Sequence, residues 1–395
     1  MKVTEEKTCL CALNRIFGFK PRIGSALIAH FGGAKEIFLL SQAELSELLG
    51  NRSSFMEKIS EESLIKEEKE LTRLADSGIY FTGETETGYP SLLKECEDHP
   101  IGLYIRSDTP AERLWHEEQR RIAVVGTRDI SPYGREWCSR IVSAMASCRI
   151  KPMIVSGLAL GTDICAHTTA LNEGIPTIGV MATGPDSVYP QRHSAIARLM
   201  ARTPGCALIS DYPPGTAPLA IHFLRRNRII AGLSEATILV ESRIKGGGMM
   251  TARLASSYNR DVYSLPGRID DIRSQGCNEL LRNNIAAPIT SIESFITAAG
   301  LDAGPRKHSI PINEMVIRTY SGKLSDEKID QTEKILTAIY NERGITIEEI
   351  GDKTGIGYAR TSELTGILEL DSIISIDLLQ RCRIISGFQN SFLSL

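Results

Sequence analysis

Six short strand-like runs recur along the middle of the chain, at 122–125, 153–155, 177–181, 207–210, 236–240 and 261–264. Each alternates with a helix-length segment of about 10–15 residues, the rhythm of βαβ units and a parallel sheet. A run such as ATILV has almost no polar position to offer solvent, so it must be covered on both faces. The expected fold class is therefore α/β, a doubly wound, mostly parallel Rossmann-like sheet over residues 79–300. In such sheets ligands lie beyond the carboxyl ends of the strands, near the switch in strand order.

Both flanks read differently. Residues 1–78 break into short helices: 9–17 is apolar-periodic, GFKPRIG makes a turn, a helix resumes at Ser25, and Ser41 stands as an N-cap. Two helices on a Gly-flanked turn resemble a helix-hairpin-helix, although so short a pattern also suits plain helical packing. Residues 301–323, with Gly304, Pro305, Pro311 and Gly322, read as a linker. In 324–395, helices at 329–340, 345–355 and 360–368 precede two short strands, IISI and RII, a winged-helix-like order. That segment holds 7 basic and 12 acidic side chains, poor chemistry for a phosphate backbone, so it reads as a protein-contact or regulatory module.

Charge singles out the middle. The net charge of −3 divides into −6 for residues 1–120, +7 for 121–290 and −4 for 291–395. A basic centre between acidic flanks fits an anionic ligand bound there. Nine scattered cysteines without a CxxC argue against a disulfide framework or zinc site and for a reducing compartment. With no apolar signal core and no run of 18 apolar residues, a cytoplasmic protein away from the membrane is expected.

The strand ends carry the candidate chemistry: GTR (126–128), SGLALGTD (156–163), TGPDS (183–187) and KGGG (245–248). Small residues let backbone amides approach phosphate oxygens, and hydroxyls add donors. Neither GxGxxG nor GxxxxGK[ST] is present, so tight NAD binding or ATP hydrolysis is not supported, and no cofactor or metal is expected. Arg225, Arg226 and Arg228 crowd one helix, FLRRNRIIAGLS. Guanidiniums there suit either a polyanion or pairing with Asp211, Glu235 or Glu241. Asp163 and His167, four apart, share a helical face and invite a catalytic reading, with a bracing histidine as the alternative. Tyr189, Tyr212 and Phe223 are candidates for stacking on bases or for packing.

By loop type the core resembles the nucleotide phosphoribohydrolase or "lysine decarboxylase-like" group, but KGGGMMTAR places Ala252 and Arg253 where that chemistry wants an acid. A longer resemblance runs through VVGTRDISPYG, VSGLALGTDICAH, VYPQRH, SDYPPG, FLRRNRIIAGLS, ILVES, TAR and SLPGRIDDIRSQGCNELL. In that order they look like the DNA-processing protein A family (DprA, also called Smf), closely over about 79–295. The resemblance implies a Rossmann-like core behind a SAM or helix-hairpin-helix-like domain, often followed by a winged helix. It implies a non-enzymatic, dimeric, single-stranded DNA-binding protein that protects incoming DNA and helps load the RecA recombinase during natural transformation. Carried over residue by residue, Arg128, Ser156, Gly157, Lys245, Gly246, Gly247 and Thr251 would meet the strand, and Arg225, Arg226 and Arg228 would line or support the pocket. The family's usual SGxARGID is SGLALGTD here, with Leu160 in place of a basic residue. One lost charge-assisted phosphate contact is worth about 1.5–3 kcal/mol, so weaker or more salt-sensitive binding is expected unless Lys151 or Arg192 substitutes. The rival is a nucleotide-processing enzyme using Asp163, His167 or Glu241.

Overall fold

The computed structural model describes residues 5–50, 53–301, 310–342, 344–384 and 392–393. The chain divides into two compact units, Met1–Gly304 and Pro305–Leu395.

The first unit is built on a nine-stranded sheet. Its strands are β1 (Ile79–Gly83), β2 (Gly102–Arg106), β3 (Arg121–Val125), β4 (Met153–Ser156), β5 (Thr177–Val180), β6 (Ala207–Ser210), β7 (Ala236–Leu239), β8 (Asp261–Ser264) and β9 (Ala287–Pro288). They lie in the order β1-β2-β6-β5-β4-β3-β7-β8-β9. All pairings from β6 to β9 are parallel, while β1–β2 and β2–β6 are antiparallel. The six runs read from the sequence are β3 to β8. Successive side chains of β3 explain why they are apolar throughout: Ala123 and Val125 enter one core, Ile122 and Val124 the other.

Helices α1 (Glu6–Phe17), α2 (Pro21–Phe31), α3 (Ala34–Leu39), α4 (Gln42–Leu49) and α5 (Glu61–Ala75) form the amino-terminal module. Leu10, Leu13 and Phe17 of α1 pack against Phe81 and Tyr104 of the β1–β2 edge. Ser41 and Glu44 make a complete capping box at α4, as Ser41 suggested. Helix α2 begins at Pro21 rather than Ser25, because a proline in the first turn gives up only an N–H that the helix would not use.

A short α6 (Ser91–Lys94) precedes the doubly wound part, where α7 (Pro132–Met145), α8 (Thr162–Asn172) and α9 (Ser194–Arg202) follow β3, β4 and β5. Next come α10 (Ala220–Gly232), α11 (Gly247–Ser257), α12 (Gln275–Arg282) and α13 (Ile292–Ala298). Helices α7, α8 and α13 cover one face of the sheet; α10, α11 and α12 cover the other. From β3 the chain steps outward through β4, β5 and β6, then returns to place β7 on the opposite side of β3. That reversal is the switch point, and it opens a crevice between the loops after β3 and β7.

In the second unit, α14 (Ile312–Tyr320), α15 (Asp326–Asn341), α16 (Ile347–Thr354) and α17 (Tyr358–Leu370) surround one core. Strand pair β10 (Ile310–Pro311) and β14 (Phe392–Leu393) is parallel, and β11 (Ile345–Thr346), β12 (Ile374–Ile376) and β13 (Arg381–Ile384) form a small antiparallel sheet. Residues 302–309 of the expected linker, with Gly304 and Pro305, lie outside the described residues. From 312 that stretch is helical, since Ile312, Met315, Val316 and Tyr320 make a stripe buried in the core.

Among the described residues, no helix is long and apolar enough to cross a membrane. All nine cysteines are free thiols and buried. No group of three metal-ligating side chains occurs among the described residues.

Candidate nucleic-acid interface

The crevice at the switch point is a cleft of about 620 Å³. Its walls are the β3 loop (Gly126, Thr127, Arg128), the start of α11 (Gly246, Gly247, Gly248, Thr251) and the face of α10 bearing Phe223, Arg226 and Asn227, with Tyr189 and Arg243 at the rim. Close approach of the two loops requires glycine. A Cβ on Gly248 would stand 3.0 Å from the Cα of Gly126, and one on Gly126 would stand 2.4 Å from Thr162 Oγ1.

Arg128 is exposed, and its guanidinium sits 5.2 Å from the centroid of the Phe223 ring. Tyr189 meets Phe223 in a T-shaped, edge-on arrangement, with 5.5 Å between centroids. A cation stacked on one aromatic ring and a second ring beside it therefore cluster at the mouth, groups of the kinds that phosphates and stacked bases use. Tyr212 is instead buried, packed against His222.

The three arginines of α10 take three different positions. Arg226 is buried beneath the cleft, where it donates to Gly157 O at 2.7 Å and to Val180 O. Burial, only partly offset by nearby Asp163, pulls its pKa down to about 10. Gly157 makes room for it, since a Cβ there would lie 2.2 Å from the guanidinium. Arg228 is buried against Asp211 at 2.5 Å and also donates to Asp98 O. Arg225 donates to Gly18 O and Phe19 O and lies 4.2 Å over the Phe19 ring, tying α10 to the amino-terminal module.

The remaining predicted residues divide in the same way. Thr251 lines the cleft and donates to Gly247 O. Ser156 is fully buried and donates to Val124 O at 2.6 Å, below the mouth. Lys245 is exposed but lines a neighbouring hollow, whereas Arg243, not singled out in the sequence, lines the cleft. The cause is a tight turn closed by Gly246 N–H donating to Arg243 O, which reverses the chain between the two cations. Lys151 caps the carboxyl end of α8 through Glu173 O and Gly174 O, so it does not stand in for the charge absent at Leu160.

The candidate catalytic groups are each engaged. Asp163 accepts from the amides of Gly157 and Ala159 at 3.2 and 3.3 Å, holding the β4 loop, and burial raises its pKa. Glu241 accepts from Ser131 N–H at 2.9 Å and from its hydroxyl at 2.5 Å. His167 is paired with Thr177 Oγ1 at 2.8 Å rather than with Asp163. Burial, reinforced by Arg226 and His193, pushes the His167 pKa down to about 3, so the ring is neutral at pH 7.

That depression has a stability consequence. The unfolded chain takes up a proton at this site near pH 6.5 and the folded chain does not. Below that value the folded state loses up to about 1.4 kcal/mol per pH unit from this group, and above it loses nothing. Urea unfolding at pH 7 and pH 5 should therefore give a steeper loss for the native chain than for His167→Gln. Equal losses would remove the assignment.

Fold and site together define the class: an α/β protein with a cationic, glycine-walled cleft, flanked by aromatic side chains, at its topological switch point. The model of the DNA recombination-mediator protein A family matches residues 80–300, more than half the chain, and the chain belongs to that family. It is 31% identical over 315 residues to Protein Smf of Synechocystis sp., covering 78% of this chain and 77% of that protein. It is 34% identical over 194 residues to DNA processing protein DprA of Streptococcus pneumoniae, covering 49% and 65%. The X-ray structure of the latter protein aligns with a TM-score of 0.57 at 30% identity, covering 66% of this chain and 86% of that one. The family resemblance and the Rossmann-like core expected from the motifs are both met.

Proposed function

We propose that the cleft holds one strand of DNA, and that the protein is a non-enzymatic mediator that protects incoming DNA and helps load RecA during natural transformation. In this reading it acts as a cytoplasmic homodimer and needs no cofactor. Arg128 and Arg243 take phosphates, Gly246, Gly247 and Thr251 present the start of α11 to the backbone, and Phe223 and Tyr189 receive bases. Ser156, Gly157, Arg225, Arg226 and Arg228 hold the walls, Lys245 serves the strand from the adjoining hollow, and Arg243 compensates for Leu160. The carrying observation is the cluster of Arg128 over Phe223 with Tyr189 against the same ring, all lining the cleft. Such stacking tolerates any base, so binding should be sequence-tolerant. The acidic second unit is read as a winged-helix-like protein-contact module.

Mixing the protein with labelled oligothymidylate and, separately, with nucleoside monophosphates tests the reading. Tight oligomer binding without released base supports it, whereas turnover abolished by changing Asp163 makes the protein an enzyme.

Glycine chemistry offers a second check. A Cβ on Gly247 would meet nothing within 4 Å, while one on Gly246 would collide with Ser242 Oγ at 2.2 Å. Gly247→Ala should therefore keep or raise stability, by up to about 1 kcal/mol, since alanine favours the helix start. Its affinity for oligothymidylate should nevertheless fall severalfold, because the backbone can no longer be approached as closely. Unchanged affinity would mean that the strand does not touch this edge.

A further inference from the structure

Beside the cleft lies a second hollow of about 470 Å³, and the two share Leu224, Gly246 and Gly247 as a common saddle. Exposed Leu224, Ile244 and Met250 form its apolar side, and exposed Lys245 and Arg253 its charged side. None of its lining residues is acidic. Neither cation forms an ion pair with a described residue. Met250 and Arg253, three apart on α11, share one helical face. Apolar surface with unneutralised cations suits a ligand that brings planar apolar groups and regularly spaced negative charge together, as a single polynucleotide strand does. The saddle is low because Gly247 has no side chain and its Cβ direction is open space.

We propose that the strand held in the cleft crosses this saddle and continues into the second hollow. There Lys245 and Arg253 take phosphates while Leu224, Ile244 and Met250 support bases. The inference rests on the reading of the cleft as a single-strand site and adds a second, length-dependent segment to it. A short oligomer fills the cleft alone; a longer one occupies both. The hollow then sets the minimum length for full affinity and contributes to the salt dependence only for strands long enough to reach it.

The test uses the full chain and its Arg253→Glu variant, with fluorescence anisotropy on labelled oligothymidylates of about 4 and about 12 nucleotides. Arg253 is exposed and forms no ion pair with a described residue, so the variant should unfold at the same urea concentration as the native chain. The expected result is a loss of about tenfold or more on the longer oligomer, with a salt slope smaller by about 1, and a change within about twofold on the shorter. Equal losses on both lengths, or none on either, overturn the second segment while leaving the cleft in place. Failure of the native chain to bind either length removes the cleft reading, and the extension with it.

Discussion

Replacing Arg128 by glutamate should lower affinity for oligothymidylate by about a hundredfold or more at moderate salt, with no loss of fold stability. The size follows from what the side chain does. It is exposed, its guanidinium lies over the face of Phe223, and it lines the cleft. A charge-assisted contact to phosphate accounts for roughly one to two decades of affinity, and reversing the charge adds repulsion. Arg128→Ala should lose less, and the slope of log K against log salt should fall by about 1 in that variant. Anisotropy titrations at several salt concentrations, with urea unfolding as the control, read all of these quantities. Undiminished binding by Arg128→Glu would place the strand elsewhere.

The second large effect is on stability. Arg228 and Asp211 form a buried pair at 2.5 Å, with side chains 8% and 4% exposed. Arg228→Met keeps the volume but strands Asp211 as an uncompensated buried charge, which typically costs about 3–5 kcal/mol. The urea midpoint should fall accordingly. Adding Asp211→Leu should recover much of the loss, because a buried pair replaced by apolar groups of similar size is often close to neutral. Binding should recover together with stability in the double variant, since Arg228 meets Asp211 and Asp98 O and supports the cleft wall only through them. A midpoint unchanged in Arg228→Met would show the pair to be unimportant.

Much of the core was legible because the physics is local. Strands β3 to β7 are buried along their whole length and β8 from Val262 onward, so each leaves a short, mostly apolar word in the sequence. The antiparallel strands β1 and β2, at one end of the sheet, were harder to read: Gly83 and Gly102 weaken their pattern, and antiparallel pairing breaks the βαβ rhythm. Helix Ile312–Tyr320 was hidden by its flanks, Pro311 and Gly322, although its spacing is helical.

The site was legible in its loops but not in its cations. Sequence alone places Arg225, Arg226 and Arg228 on one helix. What each one meets lies far away along the chain: Gly18 and Phe19, Gly157 and Val180, and Asp98 and Asp211. Arg243 and Lys245 illustrate the same limit at short range, since one turn hydrogen bond decides which of them lines the cleft.

The central claim, that one DNA strand lies in the switch-point cleft, is tested most directly by photocrosslinking. An oligothymidylate carrying a photoreactive halogenated uracil is bound to the full chain and irradiated, and the modified peptide is sequenced. The account expects attachment at Phe223 or Tyr189, lost in Arg128→Glu at the same protein concentration. Attachment within Pro305–Leu395, or strong binding with no attachment among the residues lining the cleft, would contradict it.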